Sequence, residues 1–219
     1  MDEKRVLVVV SRKYNGHEFW VALWRLQEVG VKYDVIASDN LIIDEITGEV
    51  VRLQVTFDDV LPGDMIAYNG LMFIFGDMPL TEIHWHHPLT QGLVAEAHRL
   101  DLPIAAICCS VPSIRRAANG KRVSAFPLVR ARILLEDAGA ILTHVAVTVD
   151  GKLVTAEHQM ATQEWATLFA DVVLGKPASA NYTPTTKSYA KEILTYRSRK
   201  LPPYIQRLIK EEKKSNPVE

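Results

Sequence analysis

Residues 104–110, Ile104-Ala105-Ala106-Ile107-Cys108-Cys109-Ser110, decide how this chain is read. Four apolar residues after Pro103 form a short buried strand, and a helical segment, Ser113–Asn119 closed by Gly120, follows almost at once. A nucleophilic residue at a strand-to-helix junction is the layout of a nucleophile elbow. Such a turn strains the backbone of its central residue and admits only small residues two positions to either side. Cys108 has Ala106 and Ser110 in those places, whereas Cys109 would have Ile107 and Val111, so the sterics select Cys108. At a helix start its thiolate meets the positive end of the helix dipole, which predicts a pKa below an ordinary cysteine's ~8.5. The alternative is a buried, inert pair of cysteines at a strand end. A Cys108–Cys109 disulfide would close a strained eight-membered ring, so Cys109 is expected to act through packing or its backbone rather than as a resolving thiol.

Outward from the elbow, short β-branched runs alternate with segments of helical period, the pattern of βαβ units and a parallel sheet. Strands are predicted over Arg5–Ser11, Lys32–Ser38, Leu71–Phe75 and Pro103–Ile107. Helices are predicted over His17–Val29, Gln91–Leu100, Leu128–Asp137 and Thr162–Leu174, the first with Phe19, Ala22, Leu23, Leu26 and Val29 on one stripe and Gly30 past its end. Two excursions interrupt the rhythm. Ile46–Leu53 reads as a hairpin around Thr47-Gly48, and Leu142–Val149 with Leu153–Ala156 as another around Asp150-Gly151. The fold class is therefore α/β, a doubly wound sandwich with a mostly parallel central sheet.

Gly175-Lys176-Pro177 ends the last helix, which divides the chain into a domain over 1–176 and an extension over 177–219. The extension is basic: Asn181–Glu219 holds nine Lys/Arg against four Asp/Glu. Tyr189, Ile193 and Tyr196, then Tyr204, Ile205, Leu208 and Ile209, recur at helical spacing on either side of Pro202-Pro203, giving two amphipathic helices expected to dock on the domain or brace a homodimer or higher homo-oligomer. Composition sets the remaining bounds. With 219 residues, 48% hydrophobic and 23% charged, the chain is an ordinary globular protein, and a net charge of −1 supplies no global field for nucleic acid or acidic lipid. No apolar run approaches the ~18 residues of a membrane span, and a cytoplasmic location is expected. The two cysteines are sequence neighbours, so neither a disulfide framework nor a zinc finger can be built.

Glu18 lies just after the first strand, at the start of the first helix. In a doubly wound sheet such turns open on one edge, so Glu18 and Cys108 are expected to converge where the strand order reverses. A carboxyl there would orient the thiol or take its proton; the alternative makes Glu18 the third residue of a capping box begun by Asn15. His158, between a strand and the last helix, is a candidate base if that strand runs parallel to the core, and otherwise a surface-loop residue. His84-Trp85-His86-His87 lacks a third ligand at metal-binding spacing, so no metal site is expected. A pocket rim or subunit contact anchored by Trp85 fits it better.

Val6–Val10, Glu18, the run Leu71–Gly76, Ala105-Ala106-Ile107-Cys108, Gly120-Lys121-Arg122-Val123, Ala138-Gly139-Ala140 and Val149–Thr155 follow in order the pattern of the ThiJ/PfpI superfamily, and the resemblance spans Lys4 to Gly175. It implies a flavodoxin-like sandwich related to class I glutamine amidotransferases, usually dimeric or higher, among members that include glyoxalase III-type enzymes, peptidases, amidases, isonitrile hydratases, chaperones and oxidative-stress sensors. It also implies an oxyanion site built from turn amides, carried here by Gly76, Asp77 and the elbow residue Cys109. Many relatives place a histidine directly after the nucleophile or in a Thr-His-Pro segment, where this chain has Cys109 and Ala125-Phe126-Pro127. Two functions follow. The first is a cysteine-dependent hydrolase or lyase acting without a cofactor on a small electrophile or amide, with Cys108 attacking and Glu18 managing the proton. The second is a sensor or interaction protein in which Cys108 is oxidised beside Glu18.

Overall fold

A computed structural model describes residues 3–176 apart from 77, together with residues 186 and 188. In chain order the first half contributes β1 (Arg5–Val10), β2 (Lys13–Tyr14), α1 (Gly16–Glu28), β3 (Lys32–Ala37), β4 (Leu41–Asp44), β5 (Val50–Arg52), β6 (Val55–Thr56) and β7 (Gly70–Ile74). The second half contributes α2 (Met78–His86), α3 (Pro88–Arg99), β8 (Ile104–Ile107), β9 (Arg122–Val123), α4 (Val129–Asp137), β10 (Ile141–Leu142), β11 (Val147–Asp150), β12 (Leu153–Ala156) and α5 (Thr162–Val173).

Seven strands form the central sheet in the order β11-β12-β8-β7-β1-β3-β6, parallel throughout except for the β11–β12 hairpin. Alternation along β1 fixes the two faces: Val6, Val8 and Val10 enter one core with Phe19, Leu23 and Leu26 of α1 and Trp165, Phe169 and Val173 of α5. Leu7 and Val9 enter the other, with Leu93, Val94 and Ala97 of α3 and with Val111 and Ile114. Both faces are covered, so the inner strands are apolar on both sides, as buried parallel strands must be. The expected flavodoxin-like layering is therefore present.

Several elements differ from the sequence expectation. The segment after Cys108 is a 3-10 helix running Cys108–Ala117 and not an α-helix over Ser113–Asn119; Pro112 inside it withholds an amide, and the tighter turn accommodates that loss. Helix α2 was not anticipated, because its residues carry no clear apolar stripe. The first hairpin pairs Leu41–Asp44 with Val50–Arg52, earlier than Ile46–Leu53 suggests, because Asp44 at the end of β4 closes the turn, accepting from Ile46 N and Thr47 Oγ1. The two amphipathic helices expected beyond residue 188 lie outside the described residues. At two points, however, the segment after α5 meets its own domain: the Thr186 hydroxyl donates to Glu164 at 2.6 Å and the Ser188 hydroxyl to Glu157 at 2.6 Å.

Candidate active site

Chain order reverses at β1, which has β3 on one flank and β7 on the other. The crevice beyond the carboxyl ends of β1, β7 and β8 is thus the topological switch point where such sheets place their sites. Cys108 follows β8 there with φ of +55°, in the left-handed region that costs a non-glycine residue roughly 1–2 kcal/mol. Braces hold it on both flanks. Ser110 Oγ accepts the Ile107 N–H at 2.9 Å and sits within donor reach of the Phe73 and Ile107 carbonyls, at 2.8 and 2.6 Å. On the other side the Trp85 indole N–H donates to the Cys109 carbonyl at 2.7 Å. The small residue at position 110 is therefore a tie to the sheet as well as a steric allowance.

Glu18 arrives from α1. Asn15 caps that helix, its Oδ1 accepting the Glu18 N–H at 3.2 Å, so the backbone of residue 18 takes part in capping. Its side chain does not: both carboxyl oxygens are buried without a hydrogen bond of standard geometry, and the side chain has no solvent exposure. The carboxyl instead faces Cys108. Burial, then the neighbouring thiol and Glu45, push its pKa well above the ordinary carboxylate value, which favours the protonated form. Residue 18 thus joins the cap through its N–H alone, while its carboxyl stands apart from the cap on the Cys108 side.

The thiol does not behave as the sequence suggested. Cys108 is pushed well above the ordinary cysteine value, first by its contact with the Cys109 thiol at 3.6 Å and then by burial, with the Cys109 N–H pulling the other way. The helix-start argument is corrected because the segment it relied on is a 3-10 turn, and the pull of the Cys109 N–H is outweighed by burial, the second thiol and a nearby carboxylate. That carboxylate, Glu45, was not singled out from sequence; it sits in the turn after β4, where only the fold brings it beside Asn15, whose Nδ2 donates to it at 3.2 Å.

The other sequence candidates divide. Gly76 lies just past the end of β7 at the crevice, and a Cβ there would lie 2.7 Å from Glu45 Oε2 and 2.8 Å from the Asn15 backbone nitrogen, so only glycine fits. Its N–H, however, donates to Ser11 Oγ at 3.0 Å and the Lys13 carbonyl at 3.1 Å, which engages the amide expected to stabilise an oxyanion. Asp77 lies outside the described residues. Cys109 is buried, with its carbonyl engaged by Trp85. His158 follows β12, which is parallel to β8 with Ala156 opposite Ile107, so it stands at the active edge. It is buried, and its Nδ1 accepts the Met160 N–H at 3.2 Å. The neighbouring Gln159 is tied to Asn15 at 2.7 Å, which joins the His158 turn to the start of α1.

Two residues of the histidine cluster, His84 and Trp85, are internal, while His86 is exposed and His87 half-buried. Trp85 is buried within its own domain, which corrects its reading as a subunit contact. His84 packs 5.0 Å from Phe75 and 5.9 Å from Phe57, and burial with His87 nearby lowers its pKa to about 4, leaving it neutral near pH 7. Gln91 Nε2 donates to the carbonyls of Trp85 and Ser113, at 2.9 and 2.8 Å, and Arg115 also donates to the Trp85 carbonyl. This lattice supports the elbow from behind. Among the described residues no group of three or more His, Cys, Asp or Glu is placed to hold a metal ion, and no helix is long and apolar enough to cross a membrane.

A doubly wound α/β sandwich with a cysteine in a left-handed turn opposite a buried carboxyl defines a class of thiol-bearing flavodoxin-like domains. The chain belongs to the DJ-1/PfpI family, whose model matches residues 4–171. It is 28% identical over 177 residues to an uncharacterized protein of Methanocaldococcus jannaschii, covering 80% of this chain and 82% of that one. Protein DJ-1 homolog D of Arabidopsis thaliana is 26% identical over 203 residues, 82% of this chain and 50% of its own length. Among solved structures, a ThiJ/PfpI domain protein from Brachyspira murdochii superposes with a TM-score of 0.71 at 17% identity over 80% of this chain and 99% of that one. Drosophila melanogaster DJ-1beta does so with 0.67 at 18% over 91% and 100%.

Proposed function

We propose that the protein is a cysteine-dependent enzyme acting on a small electrophile, an α-oxoaldehyde or an amide, with Cys108 as nucleophile and Glu18 as the group that moves the proton. One observation carries the reading: a carboxyl buried without a standard hydrogen bond faces the thiol of a strained turn. Leaving a buried polar group unsatisfied costs about 1–3 kcal/mol, a cost with no structural return at this position. A protonated carboxyl is both donor and acceptor, which suits a neutral thiol. As sulfur bonds to an aldehyde carbon, the thiol proton passes to one Glu18 oxygen while the proton on the other passes to the carbonyl oxygen. The product is a hemithioacetal and Glu18 is regenerated. Elevated pKa values on both partners are compatible with this exchange because no free thiolate is required. His158, at the same edge, would serve later proton transfers, and a partly exposed Cys108 in a buried crevice favours small substrates over polypeptides.

Turnover of methylglyoxal to lactate, and of a simple amide in parallel, tests this directly. Wild type is expected to turn over one of them while Cys108→Ser and Glu18→Gln lose at least about a hundredfold. Wild-type rates no greater than those of Cys108→Ser for both substrates would overturn it. The engaged amide of Gly76 favours a second reading, since it weakens oxyanion catalysis. In that reading Cys108 is a peroxide sensor, its oxidised sulfur accepting a hydrogen bond from Glu18. Stoichiometric oxidation of Cys108 by peroxide, without turnover of either substrate, would support it.

A further inference from the structure

The elbow thiols have a joint geometry that neither the hydrolytic nor the sensor reading uses. Their sulfurs stand 3.6 Å apart, with Cys108 partly exposed and Cys109 buried beneath it. A disulfide needs ~2.05 Å, so the pair would have to close by about 1.5 Å. The braces oppose that closure: Trp85 fixes the Cys109 carbonyl, Ser110 ties the turn to β7 and β8, and Cys108 is confined to φ +55°. Two sulfurs bound to one central atom at ~2.3 Å stand about 3.8 Å apart at a tetrahedral angle and about 4.6 Å apart in a line. The observed spacing therefore matches an angular acceptor with almost no movement and falls about 1 Å short of a linear one.

The surroundings narrow the acceptor further. With no group of three or more ligating residues in place among the described residues, a four-coordinate divalent cation would lack protein ligands. Trivalent arsenic does not need them, because it bonds two thiolates at an angle and completes its shell with a hydroxyl it already carries. Glu18 is an independent pointer: its two buried oxygens make no standard hydrogen bond and face the Cys108 side of the pair. We infer that Cys108 and Cys109 form a dithiol clamp for trivalent arsenicals, with Glu18 bonding the hydroxyl left on arsenic. In the exchange with arsenous acid two As–S bonds form and two As–O bonds break. Each thiol proton leaves with a hydroxyl as water, and arsenic stays trivalent, so no oxidant or reductant takes part. The clamp needs only the two thiols and is independent of any turnover by Cys108.

Reduced full-length protein incubated with sodium arsenite and examined by native mass spectrometry tests the clamp. One arsenic per chain is expected, retained in excess glutathione and released by dimercaptopropanol, with Cys108→Ser and Cys109→Ser each binding at least about tenfold more weakly. Equal affinity in Cys109→Ser, or displacement by glutathione as easily as by the dithiol, would overturn it. Should either variant fail to fold, wild type decides: after arsenite treatment and alkylation with iodoacetamide in denaturant, peptide mapping must find both cysteines protected relative to an untreated control, and alkylation of Cys109 to the extent of that control refutes the clamp. Arsenite binding without methylglyoxal or amide turnover would sink the enzymatic reading and leave the clamp standing, and the reverse result would do the opposite.

Discussion

Replacing Glu18 with leucine should make the protein more stable and inactive, with a stability gain that grows with pH. The side chain is fully buried, neither oxygen has a standard hydrogen-bond partner, and leucine has similar bulk, so the substitution removes an unsatisfied polar group from a site that borders the apolar core of Phe19, Ala22 and Leu26. The expected gain is about 2 kcal/mol below pH 4, where the carboxyl is protonated in both folded and unfolded chains. For a domain of this size that is roughly 4–8 °C in Tm. The pH dependence follows from the raised pKa of Glu18. A group whose folded pKa lies above its unfolded value contributes fully below the unfolded pKa. That contribution is lost as pH climbs toward the folded one, at about 1.4 kcal/mol for each pH unit between them. Wild type therefore loses stability from Glu18 as pH rises above the ordinary carboxylate range, while Glu18→Leu has no such loss, and the gap between their melting temperatures should widen from pH 4 to pH 8. Calorimetric melts across that range measure it. A variant less stable than wild type, or a gap that narrows with pH, would refute the assignment of Glu18 as a buried carboxyl retained for chemistry.

Thiol labelling with iodoacetamide at graded pH should place Cys108 above an ordinary cysteine's ~8.5, in line with the raised value its neighbours impose; a midpoint below 8 would show that a positive influence outweighs Cys109 and burial. Trp85→Phe keeps an aromatic ring but removes the pyrrole portion of the indole with the N–H bonded to the Cys109 carbonyl, and should cost at least about 1–2 kcal/mol in a denaturant melt while accelerating alkylation of Cys109; unchanged stability and labelling would show that the brace is idle. Gly76→Ala should be destabilised by more than about 2 kcal/mol, because its methyl group meets backbone as well as the Glu45 side chain, and a neutral result would mean that Asn15 and Glu45 yield freely. Truncation after Lys176 removes the contacts of Thr186 and Ser188 with Glu164 and Glu157 and should lower Tm by several degrees and, on the dimer-bracing proposal, reduce the mass seen in light scattering; an unchanged Tm and mass would eliminate the bracing role.

Local rules in the sequence determined a good deal of this protein. The continuous apolar run of Val6–Val10, the stripe from Phe19 to Leu26 and the Ala-Ile-Cys-Cys-Ser junction are short-range signals, so the parallel sandwich and the left-handed turn at Cys108 rather than Cys109 are legible in neighbouring residues. The parallel course of β12 beside β8, which carries His158 to the active edge, is instead a property of strand order, which no local stretch of sequence specifies. Helix α2 escaped because its burial comes from α3 and the 3-10 turn packed against it rather than from a stripe of its own, and with it went the role of Trp85 as a brace. Glu45 reaches the site only through the hairpin that folds back over Gly76. The thiol's titration departs from the sequence expectation for the same reason. A helix dipole can be inferred from adjacent residues, but the opposing effects of burial, a contacting thiol and a carboxylate more than sixty residues away exist only once the chain is folded, and at these short distances in a dry crevice they outweigh the dipole.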